Sequence, residues 1–444
     1  KNMRIKLSDH FTLKRLLKFV FPSIIMMIII SIYGVIDGFF VSNYVGKSAF
    51  SSLNLVMPFI MILGGMGFMI GTGGSALVSK TLGQKENEKA NKIFSMMIVF
   101  TTILGLILSI IGIIFIRPVS YLLGASDEMI DNCVLYGRIV TSFTALFMLQ
   151  NVFQSFLATA EKPKIGLIVT IAAGTTNAVL DYLFVAVFNF GLAGAAVATG
   201  IGQVVGGLIP LIYFILPNDS LLKLVKTKLS IKELLAACAN GSSELMSNVS
   251  SSIVGMVYNL QLMKYIGEDG VATYGVLMYV QFVFVAIFIG YSIGTAPIVG
   301  YNYGATNYDE LKNVRKKSIA IMFTTGITLS IIAQLLAGTL AKIFVGYDQN
   351  LYVLTVHAFR IFSFAFILTG FNIFSSSFFT ALNNGAISAL IAFLRTLVFQ
   401  LGSVLMLPLI ISVDGIWLAI CVAEVFATAI SLFFMITKQR VYHY

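Results

Sequence analysis

The chain alternates long apolar runs with short polar breaks. The runs lie near 16–41, 51–79, 93–117, 131–159, 165–187, 192–216, 235–263, 271–300, 317–341, 353–381, 386–410 and 415–437. Each reaches the roughly 20 apolar residues that a helix needs to cross the hydrocarbon core of a bilayer. The pattern therefore predicts twelve transmembrane helices, six in each half. The longest polar stretch, about 217–234, is short enough to be a linker and no more. The predicted organisation is an N-terminal six-helix lobe over 1–216, a linker over 217–234 and a C-terminal six-helix lobe over 235–444.

The halves repeat one another. Sliding residues 1–221 onto 222–442 places Gly34, Gly46, Gly73, Gly83 and Gly194 on Gly255, Gly267, Gly294, Gly304 and Gly415. Asn151, Ser155, Thr159 and Ala160 fall on Asn372, Ser376, Thr380 and Ala381. An even number of spans per half gives both halves the same orientation, which makes this a parallel repeat of the kind found in transporters. The expected fold class is an all-α membrane protein of two six-helix lobes.

Composition and charge sharpen this picture. The chain is 58% hydrophobic and 11% charged, where a soluble domain carries about 25% charge. The net charge of +10 is no signal for nucleic acid, because 22 of the 29 Lys and Arg fall at one membrane face under this span map. The opposite face has Lys47, Arg117, Lys264 and Lys342, while Arg138, Arg360 and Arg395 lie within spans. The positive-inside rule then places both termini in the cytoplasm. Cys133, Cys238 and Cys421 form no paired motif, and His10, His357 and His443 have no metal-ligand spacing. The basic flank of the first span reads as an ordinary membrane anchor rather than a secretory leader. No cofactor is expected.

Ionisable groups inside a membrane are costly and mark candidate functional sites. Four acids qualify: Asp37, Asp181, Glu244 and Glu424. Asp37 and Asp181 fall near the outer ends of spans 1 and 5, with Asn177 one helical turn from Asp181 and Thr199 at similar depth in span 6. Two carboxylates, an amide and a hydroxyl suit a hard cation such as Na⁺, or a proton shared between the acids. The competing reading, polar glue between helices, covers Asn177 or Thr199 more easily than two carboxylates. The repeat places Tyr258, Gly402 and Ile420 where the first half has Asp37, Asp181 and Thr199, so any such site belongs to the first half. Glu244 opens span 7, where a helix-start carboxylate satisfied by the local dipole is the alternative. Glu424 lies mid-span and could attract a cationic substrate or pair with Arg395 at similar depth. Asn151 joins Glu244, Glu424 and Arg395 as a candidate lining of a substrate cavity. Pro22 and Pro297 are candidate bend points. Abundant Met and Phe facing a cavity would make an adaptable binding surface.

These features together resemble the multidrug and toxic compound extrusion (MATE) family of bacterial cation-coupled drug exporters, over essentially the whole length. The resemblance rests on Phe21 and Pro22 followed by Asp37, and on the run from Gly71 to Gly83 with its echo from Gly294 to Gly304. It rests also on Asn177 through Asp181, on Gly194 through Thr199, and on Gly415 to Trp417. It implies a V-shaped pair of lobes that open alternately to each side of a bacterial cytoplasmic membrane, exchanging drug for H⁺ or Na⁺. It also implies that Asp37, Asn177, Asp181 and Thr199 hold the cation. Small-molecule drugs and membrane lipids would be the partners, and the protein would be a monomer. Another branch of the family has acids in spans 7 and 10. Span 10 here has none and Glu244 sits early in span 7, which puts a second-lobe cation site in doubt. The choice between Na⁺ and H⁺ stays open.

Two other classes compete. A flippase for a lipid-linked oligosaccharide or peptidoglycan precursor should line its cavity with cations, yet only Arg395 is deep. A membrane-embedded enzyme would need clustered Asp for Mg²⁺ or a protease motif, and the sequence has neither.

Overall fold

The computed structural model describes residues 4–444 apart from the Lys47 side chain; Lys1 lies outside them. The first half consists of α1 (Leu13–Tyr44), α2 (Lys47–Gly83), α3 (Asn87–Leu122), α4 (Ile130–Thr141), α5 (Thr144–Thr159), α6 (Pro163–Asp181) and α7 (Gly191–Ile215). The second consists of α8 (Ile231–Asn240), α9 (Ser242–Tyr265), α10 (Glu268–Gly304), α11 (Tyr308–Val345), α12 (Gln349–Phe362), α13 (Phe366–Ala381) and α14 (Gly385–Phe393). It closes with α15 (Leu401–Met406), α16 (Pro408–Ile411), α17 (Val413–Thr437) and α18 (Gln439–Tyr442). All regular structure among the described residues is helical. The repeat extends to the turns. Gly46 and Gly267 take φ of 129° and 88°, and Lys85 and Thr306 take 64° and 54° at equivalent places. Left-handed backbone of this kind ends one helix and re-aims the chain for the next.

Among the described residues, ten helices are long and apolar enough to cross a membrane, and α4 with α5, bent by 55°, makes an eleventh. The expected seventh span differs from the rest. It breaks at Gly241 into a short amphipathic α8 and a 24-residue α9 that is too polar to pass the same test. Ser242, Ser243, Glu244, Asn248 and three serines at 250–252 explain that polarity. Conversely, α3 shows hydrocarbon-facing behaviour: Val99, Ile103, Leu106, Ile110 and Ile114 are all exposed, three or four residues apart on one face.

The halves pack at the face that carries residues 4 and 444, here the terminal face. A Cβ added to Gly83 would lie 2.0 Å from the carbonyl oxygen of Tyr301, and one on Gly304 would lie 2.1 Å from that of Lys80. These two contacts are the same contact seen from each repeat, so α2 and α10 cross where only glycine permits the approach. Around this crossing, Lys85 Nζ donates to Tyr301 Oη at 2.8 Å and Asn383 Nδ2 to the Ala76 carbonyl at 3.2 Å. α1 seats on α10 in a notch where Gly290 meets Ile24 and Gly294 meets Val20.

Two extended segments cross between the lobes at this face. Residues 4–12 lead into the first lobe, yet Phe11 N–H donates to Glu310 Oε1 at 2.9 Å and Asn313 Nδ2 donates to the Phe11 carbonyl at 2.9 Å, both on α11. His10 Nδ1 lies 2.7 Å from Glu310 Oε2. The linker leads into the second lobe, yet it lies along the start of α3. Lys223 N–H donates to Asn91 Oδ1 at 3.0 Å and Val225 N–H to Ser95 Oγ at 2.9 Å. Toward the opposite face, the side-chain hydrogen bonds of the described residues that join the halves cease beyond Ser31 to the Phe282 carbonyl, midway along α1.

Candidate functional site

Packing brings the four first-lobe candidates together. The ring of Tyr33 on α1 fills the notch left by Gly174 on α6, where a Cβ would overlap the ring at 1.7 Å. Tyr33 Oη and Thr175 Oγ1, 3.3 Å apart, add a polar contact beside the notch. One turn beyond Tyr33, Asp37 is thereby set against the end of α6, where Asp181 sits. Gly202 on α7 lets that helix approach Asn177 closely. The chain after Asp181 widens into a π-helical turn, Tyr182–Val187, a distortion common at functional sites.

Asp37 and Asp181 are both buried and adjacent. Thr199 Oγ1 donates to Asp37 Oδ1 at 3.4 Å. Neither carboxylate oxygen of Asp181 has a hydrogen-bond partner, and neither does Asn177 Oδ1. Buried polar atoms are nearly always paired, so this concentration of acceptors without donors is chemically suited to a proton, a cation or a hydrogen-bond donor. Two like charges side by side in a medium of low dielectric are costly, and a single cation or a shared proton relieves that cost.

A fifth group completes the site. Tyr136, on α4, is fully buried beside Asp37, Asp181 and Thr199, and its hydroxyl is also unpartnered. The sequence reading missed it. Tyr136 is one of 18 tyrosines, and its placement depends on how α4 packs, which apolar periodicity does not report.

The remaining candidates do not converge. Glu424 on α17 is 2% exposed and forms an ion pair with Arg395, whose Nε and Nη2 lie 2.9 and 2.8 Å from Glu424 Oε1. Asn372 Nδ2 donates to Glu424 Oε2 at 2.5 Å, completing a closed network within the second lobe. Asn151, the repeat counterpart of Asn372, donates instead to the Gly64 carbonyl at 3.0 Å and acts as a buried staple of the first lobe. Glu244 stands apart from both. It lies one turn before Asn248, which approaches Gly65 of α2, so this face of α9 looks toward the first lobe. No ion pair of the described residues includes it. Pro22 and Pro297 lie inside helices that continue unbroken past them.

The second lobe has no copy of the carboxylate pair. Tyr258, at the place of Asp37, is buried and stacks on Tyr274 with ring centroids 4.9 Å apart and planes 9° apart. No group of three or more His, Cys, Asp or Glu gathers anywhere among the described residues.

Comparison with known proteins bears on the whole chain. The family model MatE matches residues 22–183 and again 245–404, once per half. Multidrug export protein MepA of Staphylococcus haemolyticus is 25% identical over 435 residues, covering 96% of this chain and 94% of the relative. The protein of the same name from Staphylococcus aureus is 24% identical over 432 residues, with coverage of 96% and 94%. The solved structure of MATE in complex with MaL6 shares this fold at a TM-score of 0.92 and 22% identity, covering 98% of each chain.

Proposed function

This chain belongs to the MatE family, and from that premise we propose that it is a cation-coupled antiporter of a bacterial cytoplasmic membrane. It exports lipophilic, often cationic, drugs or toxic compounds by alternating access, as a monomer with both termini in the cytoplasm. The observation that carries the coupling is the buried Asp37–Asp181 pair, with its unpartnered oxygens and its absence from the second lobe.

The mechanism follows from where α1 makes its contacts. One end of the helix holds Asp37; 13 residues back, about 20 Å along the axis, Ile24 seats against Gly290 at the seam between lobes. With the termini cytoplasmic, the packed terminal face closes the cytoplasmic side and leaves the drug's exit route outward. Arrival of one H⁺ or Na⁺ from outside lowers the charge of the carboxylate pair from −2 to −1, which relieves the repulsion between two adjacent buried charges. Tyr136, Asn177 and Thr199 supply neutral oxygens to hold the ion or to accept hydrogen bonds from a protonated acid. The repacking of α1 on α6 then shifts the seam that α1 shares with α10. Work is done only if ion and drug differ in affinity between the two states. Glu244, on the interlobe side of α9, is the proposed counter-charge for a cationic drug. Glu424 is not, because Arg395 already neutralises it. The same pairing disfavours a flippase for a pyrophosphate-linked lipid, since the deepest arginine is occupied.

The test is ethidium transport into proteoliposomes under separately imposed Na⁺ and pH gradients. One gradient should drive transport and Asp181→Asn should abolish that response. Full gradient-driven transport in the folded variant would overturn the assignment.

A further inference from the structure

The two segments that cross between the lobes occupy equivalent places in the repeat, yet they end in opposite chemistry. On α11, the incoming segment meets Glu310 and Asn313, and the acid is answered by His10 and by the Phe11 amide. On α3, the repeat counterparts of those residues are Lys89 and Lys92. There the linker arrives with Lys226 and Lys228, and a cleft of about 640 Å³ remains between linker and helix. Its lining is Lys89, Lys92, Lys226 and Lys228 with Thr227, a single acid, Glu233, and the apolar Ile93 and Met96 at its floor on α3. Lys89 reaches Glu86 at 3.7 Å, while Lys92, Lys226 and Lys228 enter no ion pair among the described residues. The cleft is walled firmly. Thr227 Oγ1 donates to the Lys92 carbonyl at 2.9 Å, and the Lys223 and Val225 amides are held by α3 side chains.

What fits it is set by what surrounds it. Lys92 is seven residues, about 10 Å, from Val99, where the exposed apolar face of α3 begins. On the other side Leu229, Ile231 and Leu235 are more than 60% exposed, so apolar side chains border the lysines directly. A concave cationic wall at the membrane boundary, flanked by greasy surface, matches a molecule with an anionic head and an acyl tail. We propose that the cleft between the linker and the start of α3 is a specific binding site for an anionic phospholipid. The phosphate sits among Lys92, Lys226 and Lys228, and the chains lie along α3 and against Leu229 and Ile231. Because the linker joins the lobes, a lipid held there also fastens the second lobe's leading segment to the first lobe.

The experiment uses the full chain, purified and delipidated in detergent, with bound lipid read by native mass spectrometry. Phosphatidylglycerol is titrated against phosphatidylcholine, with glycerol 3-phosphate as soluble competitor. The triple variant Lys92→Gln, Lys226→Gln, Lys228→Gln is expected to bind phosphatidylglycerol about tenfold more weakly or worse. A control removing equal charge elsewhere on the same face, Lys312→Gln, Lys316→Gln, Arg440→Gln, is expected to bind as the parent does. Leu229→Ser with Ile231→Ser, which keeps every lysine, is expected to weaken the lipid too. Equal loss in both triple variants means general surface charge and overturns the site. Equal binding of phosphatidylcholine overturns the anionic preference. Full competition by glycerol 3-phosphate, or unchanged affinity in the serine variant, overturns the lipid in favour of a free phosphate compound.

Discussion

Replacing a single carboxylate oxygen tests each acid of the first lobe. Asp37→Asn and Asp181→Asn keep the volume and remove the charge, so each should leave the melting temperature unchanged or raised while ethidium efflux falls to background. Arg395 and Glu424 should behave in the opposite way. Glu424→Ala strands a guanidinium in the second lobe, and breaking one partner of a buried pair costs about 3–5 kcal/mol. The double variant Arg395→Met, Glu424→Met should recover most of that loss in thermal unfolding, because no unpaired charge remains. Glu161, in the loop after α5, gives a pH signature. Burial pushes its carboxyl above the ordinary 4.5, outweighing the Leu7 amide and Arg4 that favour its charged form. The fold therefore holds the proton more tightly than the unfolded chain, and stability falls as pH rises through and above about 4.5. Glu161→Gln should flatten that part of the stability profile. At this scale the sequence revealed the acids but not their company. Asp37, Asn177, Asp181 and Thr199 could be grouped by depth because charge and amide are rare in spans. Tyr136 could not, and the Arg395–Glu424 contact was readable only as two groups at one depth.

Helices were legible wherever burial in lipid demanded unbroken apolar sequence. The ten long apolar helices and the bent α4–α5 pair fall where hydropathy places spans. The seventh was less legible because it is solvated differently. α9 turns Asn248 and Leu245 toward Gly65 of α2, and Gly241 separates it from α8, which packs Ala237 against Gly73 of the same helix. The glycine crossing of α2 and α10 was visible only as a coincidence of the repeat, and its meaning needed the backbone contact. That crossing yields a prediction of its own. Gly83→Val must push the Tyr301 carbonyl away, so the terminal face should open. A cysteine placed at Ala76, beside the seam, should become accessible to a membrane-impermeant maleimide from that side, with transport reduced tenfold or so, about 1.4 kcal/mol in effective closure.

The molecule as a whole has a symmetric scaffold with an asymmetric endowment: glycines, turns and crossing segments repeat, whereas the paired acids occur once. Motion of one lobe against the other requires the terminal face to part, and this can be arrested. Lys85→Cys with Tyr301→Cys, replacing long side chains whose tips now touch, should be joined by a short bis-methanethiosulfonate cross-linker that spans the gap those side chains leave. Efflux should stop when the link forms and return on reduction; continued efflux in the cross-linked form would mean that this face does not open. The crossing of residues 4–12 onto α11 has one more consequence, for biosynthesis. Phe11 is synthesised well before its partner Asn313, which lies 302 positions later. Until α11 is inserted, Phe11 lacks its partners Glu310 and Asn313, so this segment must wait, exposed and available to chaperones or proteases, for about 300 further residues to be made. The clasp thus doubles as a checkpoint on the arrival of α11, and chains truncated before α11 should be recognisable by a free segment at residues 4–12.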